Sequence, residues 1–363
     1  HRFCRGCWIG QTGSLRKRAT VKEVTISDIA KRAGVGKATV SRVLNGSGYV
    51  SAETRERVED AIRDFDYTPS AAARTLSRRV GSSIGLVVPE VDNPFFGNIV
   101  QGVSQGTDLP IILANTENSA EQDVKVLRAM LEQRLRGLIY TPAVDYQGHP
   151  LEAEVHRMLS QMNAVVVLDR ELAGARFDGV FTDNYEGAYA STRALVEAGH
   201  RRIGIVAGDM GLAIGRQRRA GFLRALEDAG LKLRPEDELH ARFTAEGAYR
   251  ETLRMLERPD RPSAFFVSNN LSSRGFIRAI FERGFNIPRD IGYIGFDVVD
   301  GLEMLGLKFS YLDRDVSRMG REAVKLLFER MERPEAPPRK LVLGSSLRLE
   351  GSEVRTGGGA TRR

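Results

Sequence analysis

Several things that decide a protein's class are scarce in this chain of 363 residues. It has two cysteines, Cys4 and Cys7. They cannot staple a protein of this size, so no disulfide framework is expected and a reducing cytoplasm is the natural home. Together with His1 they form a His-x-x-Cys-x-x-Cys spacing, but zinc takes four ligands and no fourth lies nearby, so no metal site is expected. No run approaches 18 uninterrupted apolar residues, so no membrane-spanning helix is expected. No apolar stretch of signal-peptide length follows the basic residues near the start, which argues against export. No Gly-x-Gly-x-x-Gly follows the first candidate strand and no phosphate loop occurs, so neither an enzyme using a nucleotide nor any other cofactor is expected.

What is present is 42% hydrophobic and 28% charged residues, enough for a large buried core in two or three domains. The net charge of +7 is unevenly placed. Residues 1–80 carry 16 Lys+Arg against 8 Asp+Glu, and the rest carries 38 against 39. A basic segment on a near-neutral body is the footprint of a polyanion binder. A solvated basic face has the same charge, so charge alone leaves both readings open.

Residues 1–22 lack periodicity and read as a disordered leader; position 1 is His rather than Met, as in a trimmed or mis-started product. Residues 23–67 read as three short helices. Ser27 is placed to cap the first, Asp28 to Ala33, which Gly34 ends in left-handed conformation. Gly36 opens the second, Lys37 to Leu44, and Ser51 caps the third. Ile29, Ala30, Ala33, Val35, Val40, Val43, Leu44, Val58, Ile62 and Phe65 form the apolar set that packs them. Two helices joined by a tight Gly-containing turn and braced by a third make a helix-turn-helix. Residues 68–80, with Thr68 and Pro69 at the start, hold a helix of about two turns, too short to be stable alone.

From residue 82 short apolar strands alternate with helices. The strands are placed at 84–89, 111–115, 137–141, 164–169, 180–183, 203–208, 239–243, 264–269 and 291–296. Helices are placed at 119–134, 186–198, 217–229, 246–257 and 271–283. Near-continuous Val/Ile/Leu strands with crossover helices predict parallel sheets covered on both faces, and two groups of strands predict two lobes. The fold class is α/β: an all-α helix-turn-helix headpiece, then two doubly wound parallel-sheet lobes. The Gly-rich, polar end of the chain, 353–363, reads as a disordered tail.

The run Thr25-Ile26-x-Asp28-Ile29-Ala30-x-x-Ala33-Gly34-Val35-Gly36-x-x-Thr39-Val40-Ser41-Arg42-Val43-Leu44-Asn45 resembles the signature of the LacI/GalR family of bacterial transcription regulators. The resemblance continues through Ile84 to Pro89, Asn93-Pro94-Phe95-Phe96, Gly199 to Ile203 and Ile291 to Asp297, and spans roughly 24–352. It implies a body like a periplasmic sugar-binding protein, residues 81–352, with an effector cleft between an N-lobe (81–182 plus 311–332) and a C-lobe (183–308 plus 333–352). It also implies a homodimer on a near-palindromic double-stranded DNA operator. No leucine heptads follow residue 352, so a tetramerising tail is not expected.

In a helix-turn-helix the first residues of the second helix face base edges. Here they are Lys37 and Ala38, with Arg42 one turn on. Lys37 or Arg42 can donate to guanine O6 and N7, or touch phosphate and carry no sequence information. Ser27, Thr39, Ser41 and Asn45 read as caps and phosphate contacts. Tyr49 matches a family position near the DNA backbone, or fills the core. Pro69, Ala72, Ala73, Arg74 and Leu76 match the family's hinge helix, where Leu76 is the apolar wedge that opens a central base step in the minor groove.

By position, the family's effector contacts fall on Phe95, Asp169, Arg218, Phe243, Asn269 and Asp297. Phe95 is a wall for stacking, Arg218 holds hydroxyls or an anion, and Asp169, Asn269 and Asp297 end strands, where ligands of open parallel sheets bind. Asp and Asn there also serve as turn and helix caps. The set suits a sugar or sugar derivative; a purine or nucleoside uses the same walls. The chain departs from the family at Gly36, in place of the usual Ser; in 97–110, about three residues short, where glycines predict a brief first lobe helix; at Asn270, where Asp is common; and at Leu307 to Arg314, in place of a Pro- and Thr-rich crossover. The reading is a DNA-binding repressor controlled by a small molecule. An exported sugar-binding protein would share the body but needs a signal peptide where residues 1–80 supply a headpiece.

Overall fold

The computed structural model describes residues 24–45, 47–67, 81–174 and 176–355, without the Asn45 side chain. The leader 1–22, the hinge segment 68–80 with Ala73 and Leu76, and positions after 355 lie outside the described residues. The chain divides into two units, His1–Arg79 and Val80–Arg363.

In the first unit, α1 spans Ile26–Ala33, α2 Lys37–Asn45 and α3 Ala52–Asp64. Thr25, not Ser27, caps α1. The Asp28 carboxylate accepts from the Thr25 backbone N–H at 2.9 Å and from its hydroxyl at 2.6 Å, while Ser27 lies exposed in the first turn. The acid three residues into the helix suits Thr25, because only from there does it reach back to the cap. Gly34 ends α1 with φ of 67°, a conformation that costs a side-chain-bearing residue about 1–2 kcal/mol. Ser51 caps α3, its hydroxyl accepting from Thr54 N–H at 3.4 Å. Ile29, Ala30, Ala33, Val40, Val43, Val58 and Ala61 form the core. Phe65, expected inside, is 40% exposed: α3 stops before it, and Tyr67 packs there instead.

The second unit holds two six-stranded sheets. The first contains β1 (Ile84–Val88), β2 (Ile111–Asn115), β3 (Gly137–Tyr140), β4 (Val165–Leu168), β5 (Asp178–Thr182) and β11 (Lys340–Leu343), ordered β11-β5-β4-β3-β1-β2 and parallel throughout. The second contains β6 (Ile203–Ala207), β7 (Glu238–His240), β8 (Ala264–Val267), β9 (Gly292–Phe296), β10 (Tyr311–Arg314) and β12 (Ser345–Arg348), ordered β12-β10-β9-β8-β6-β7. Only β12 runs antiparallel to its neighbour. β1, β3, β4, β5, β6, β8 and β9 are buried along their length, so Val, Ile and Phe recur without alternation.

The crossover strands differ from expectation. Residues 311–314 pair with β9 and belong to the second sheet, not the first; residues 340–343 pair with β5 and belong to the first, not the second. The chain therefore changes lobes between β5 and β6, after Arg314, and at Gly344. The start of the expected tail is also ordered: the Ser352 hydroxyl accepts from Ser310 N–H at 2.7 Å and donates to the Tyr293 carbonyl at 2.8 Å, and His200 bonds the Glu353 carbonyl. Among the described residues no helix is long and apolar enough to cross a membrane.

The first lobe helix, α4 (Pro94–Gly106), runs 13 residues rather than being brief. Asn93 caps it, its side-chain oxygen accepting from Phe95 N–H at 3.1 Å, and Pro94 suits the first turn. Two of its glycines, Gly102 and Gly106, serve close packing. A Cβ on Gly102 would overlap the Ser317 carbonyl of α11 (Val316–Glu332), and one on Gly320 would lie 2.6 Å from the Ile99 carbonyl. Gly102→Ala is therefore expected to force the two helices apart at a cost of about 1–3 kcal/mol. A urea melt of the full chain checks this, and an unchanged midpoint would refute the close crossing.

Candidate functional site

On α2, Val40 and Val43 point into the core, and Lys37, Ala38 and Arg42 are exposed on the other side, with Thr39 and Ser41 half-buried. Helical spacing places 38 and 42, and 37, 41 and 45, on adjacent rows of that face. Among the described residues neither Lys37 nor Arg42 makes an ion pair, so both cationic heads are available to an external anion. Tyr49 is 93% exposed, which excludes the core-filling alternative.

In the second unit the strands of both sheets end toward a common cleft. Asp169 follows β4, Phe243 follows β7, Asn269 follows β8 and Asp297 follows β9; Phe95 lies on α4 and Arg218 on α8 (Ala213–Asp228). Three of these six hold left-handed backbone: Asp169 at φ of 60°, Phe243 at 62° and Asp297 at 75°. Glu117 and Asn118, beyond β2, and Arg242, beside Phe243, share it. Each such residue costs of order 1–3 kcal/mol, and strain of this kind gathers where a site dictates side-chain direction.

The side chain that organises the cleft is Arg314, at the end of β10. Its Nε and Nη2 donate to the two oxygens of Asp297 at 2.6 and 2.7 Å, a bidentate pair. Its Nη1 donates to Asp169 at 3.3 Å, in the other lobe. The guanidinium lies 4.4 Å from the Phe95 ring centre and 5.0 Å from that of Phe296. All three charged groups are buried. Burial works against the Arg314 cation, but Asp297 and Asp169 outweigh it and hold its pKa above the usual arginine value.

Arg218 is placed differently. It is 2% exposed, and its Nε donates to Asn184 Oδ1 at 2.9 Å and its Nη1 to the Ser268 carbonyl at 2.6 Å. It stacks 3.7 Å from the Phe296 ring centre and 5.5 Å from that of Phe243. Burial pushes its pKa down to about 9, with the Arg314 cation adding to the effect. Arg170, beside Asp169, donates to Asn118 and to the Pro142 and Ala143 carbonyls, and burial lowers its pKa as well.

Two cavities open on this cluster. One of about 620 Å³ is lined by Phe95, Asn270, Asp297 and Arg314 among others; one of about 510 Å³ is lined by Arg170, Arg242 and Phe243 among others. Thus Phe95, Asp169 and Asp297 converge on Arg314, while Phe243 lines the second cavity and Arg218, which lines neither, lies between Phe296 and Phe243. Asn269 acts as a helix cap: its oxygen accepts from Ser272 N–H at 2.9 Å at the start of α10 (Asn270–Glu282), and its amide donates to the Phe243 carbonyl at 3.2 Å. Asn270, noted for lacking the usual charge, bridges the lobes by donating to Asn93 at 2.8 Å. Arg314, Arg170 and Asn184 join the cluster from outside the six expected positions.

Residues 25–70 match the description bacterial regulatory proteins, lacI family, and residues 192–352 match periplasmic binding protein-like domain. Over 314 residues the chain is 33% identical to the HTH-type transcriptional repressor PurR of Pasteurella multocida, covering 85% of this chain and 92% of that protein. Over 322 residues it is 31% identical to the ribose operon repressor of Haemophilus influenzae, covering 88% and 95%. The lac repressor dimer bound to operator and the anti-inducer ONPF shares the fold, with a TM-score of 0.80 at 24% identity over 92% of this chain and 100% of that one.

Removing one member of a buried ion cluster leaves the rest uncompensated. Asp297→Asn keeps the shape and removes the charge, and is expected to cost about 3 kcal/mol. Chemical denaturation measures it; a cost below about 1 kcal/mol would show that the pair is not what holds the cleft.

Proposed function

Because the chain belongs to the lacI family of bacterial regulatory proteins, we propose that it represses transcription from a near-palindromic operator as a homodimer, and that a small polar molecule in the interlobe cleft controls its hold on DNA. The observation that carries the reading is the pairing of an exposed cationic α2 face in one unit with a strained, buried charge cluster at the strand ends of the other. The first suits a DNA groove. The second suits a ligand that changes which of the cluster's groups are satisfied.

At the operator, Lys37, Ala38 and Arg42 read base edges; Ser27, Thr39, Ser41, Asn45 and Tyr49 contact the backbone. Ala73 and Leu76, outside the described residues, take the minor-groove role that family resemblance implies. Such a regulator works in the cytoplasm, where the operator is. In the cleft, Phe95, Asp169, Arg218, Phe243, Asn269 and Asp297, joined by Arg314, surround the effector. A sugar or sugar derivative fits this polar, charge-rich lining, and relatives named as a ribose operon repressor and as a regulator in complex with cellobiose support that class.

Selection of binding sites from a random DNA library, at stated near-physiological salt, tests the reading. A near-palindrome with an easily kinked central step is the expected result. No enriched sequence, with or without pooled sugars and purines, would sink it. Arg42→Ala separates base from phosphate contact on the selected site. A base contact predicts a loss of about 10- to 100-fold with relaxed specificity at one position; a phosphate contact predicts a uniform loss and a salt slope smaller by about 1.

A further inference from the structure

We infer that the cleft selects an acidic effector, a small polar molecule bearing a carboxylate or a phosphate, and that Arg314 imposes this selectivity; the inference rests on the reading of the cleft as the effector site. A neutral polyol is recognised by carboxylates whose lone pairs are free to accept its hydroxyls. Here both strand-end carboxylates already hold Arg314, which leaves fewer of their lone pairs for hydroxyls. Asp297 gives both oxygens to Arg314, and Asp169 accepts from the same guanidinium across the lobes. The ring of Phe95, the expected stacking wall, is covered by that guanidinium too.

With Arg314 holding both acids, the remaining buried cations have no carboxylate in contact, and Asp169 and Asp297 act on them only from a distance. Among the described residues Arg218 and Arg170 make no ion pair. Their guanidiniums bond only amide and carbonyl oxygens, and the Arg170 Nε is buried without a partner. The nearby buried acid, Asp123, is turned to the Tyr140 and Tyr146 hydroxyls and the Ala143 N–H instead. Three buried arginines thus face two strand-end carboxylates, and burying an unpaired cation is costly. Aromatic faces offset only part of that cost for Arg218. An anion delivered by a ligand supplies the missing charge.

The two cavities differ in a way that orients such a ligand. The 620 Å³ cavity presents Asp297, Asp300, Asp313 and Asp315 against Arg314 and Arg348, and repels an anion. The 510 Å³ cavity presents Arg170, Arg242 and Arg250 against Asp145 and Asp209. There Arg216 holds Asp145 at 2.6 Å, and Arg242 lies 3.6 Å from Asp209. The acidic group belongs in this second cavity, at Arg170, with Arg218 5.5 Å from the Phe243 ring that lines it.

The test titrates the full chain, at fixed ionic strength, with matched probes: glucose, glucuronate and glucose 6-phosphate, then ribose and ribose 5-phosphate, with inorganic phosphate and acetate as bare anions. Saturable rises in melting temperature with acidic members, and affinity at least tenfold above the neutral partner, are expected. The uronate and phosphate arms tell the two anion chemistries apart. Arg170→Gln should abolish the preference, and Arg218→Gln should weaken it. Arg314→Gln, which releases Asp169 and Asp297, should move it at least tenfold toward the neutral sugar. If that variant does not fold, Arg314→Lys, which keeps the charge and loses the fork, should weaken the preference. Equal binding of neutral and acidic probes, no saturable response to any acidic probe, or an Arg314 variant with an unchanged ratio overturns the inference. Operator selection on the same preparation reports the DNA-binding reading separately, so failure of one is distinguishable from failure of the other.

Discussion

The body of this protein depends on one guanidinium. Arg314 closes a bidentate pair on Asp297 and reaches Asp169 in the opposite lobe, so a single side chain ties together the ends of β4, β9 and β10. A buried cluster of this kind gains little net stability over an apolar core, because desolvation cancels much of the attraction. What it supplies is geometry. The planar fork accepts only one arrangement of the carboxylates, and the strained backbone at Asp169 and Asp297 persists because the fork holds both acids in place.

The surrounding structure keeps that cluster aligned. The Phe95 and Phe296 rings cover the Arg314 guanidinium, and Asn93 and Asn270 join the lobes beside it. Directly after Arg314 the chain returns to the first lobe, where Asp315 caps α11, its side chain accepting from Arg318 N–H at 2.9 Å. Since α11 crosses α4 at glycine contact distance, and α4 carries Phe95, the arginine, the helix that follows it and the ring stacked on it form one packed block. A ligand that engages the cluster acts on that block rather than on a loop.

The parts of this architecture that the sequence makes legible are those with strong local periodicity. The headpiece helices and the strands buried on both faces follow directly from apolar spacing. The strands β10, β11 and β12 escape that reading because they sit at or near sheet edges and none is buried along its length: β10 alternates half-buried with buried positions, Lys340 and Val342 are exposed in β11, and Ser346 and Arg348 in β12. The lobe assignment fails for β10 and β11, which exchange sheets where the chain crosses between lobes, while β12 lies in the second lobe as expected. The helix α4 is under-read because its glycines look like breakers, while their role is steric. Of the residues in the candidate cleft, Asp169, Arg218 and Asp297 are expected there from family position. Arg314 is not, because nothing local marks an arginine that will meet two acids 17 and 145 positions away.

The triple passage between lobes has a consequence for how the protein is made. The core of the first lobe includes Met319, Val324, Leu327 and Leu343, residues that leave the ribosome more than 130 positions after β5. At synthesis rates of about 5–20 residues per second, the strands that precede them wait roughly ten to thirty seconds for the helix and edge strand that cover them. The second lobe closes last, when Ser352 and Glu353 emerge to bond Ser310, Tyr293 and His200. The headpiece has all its core residues from the first 67 positions, so the newborn chain can hold a finished DNA-binding module well before either half of the control domain is complete.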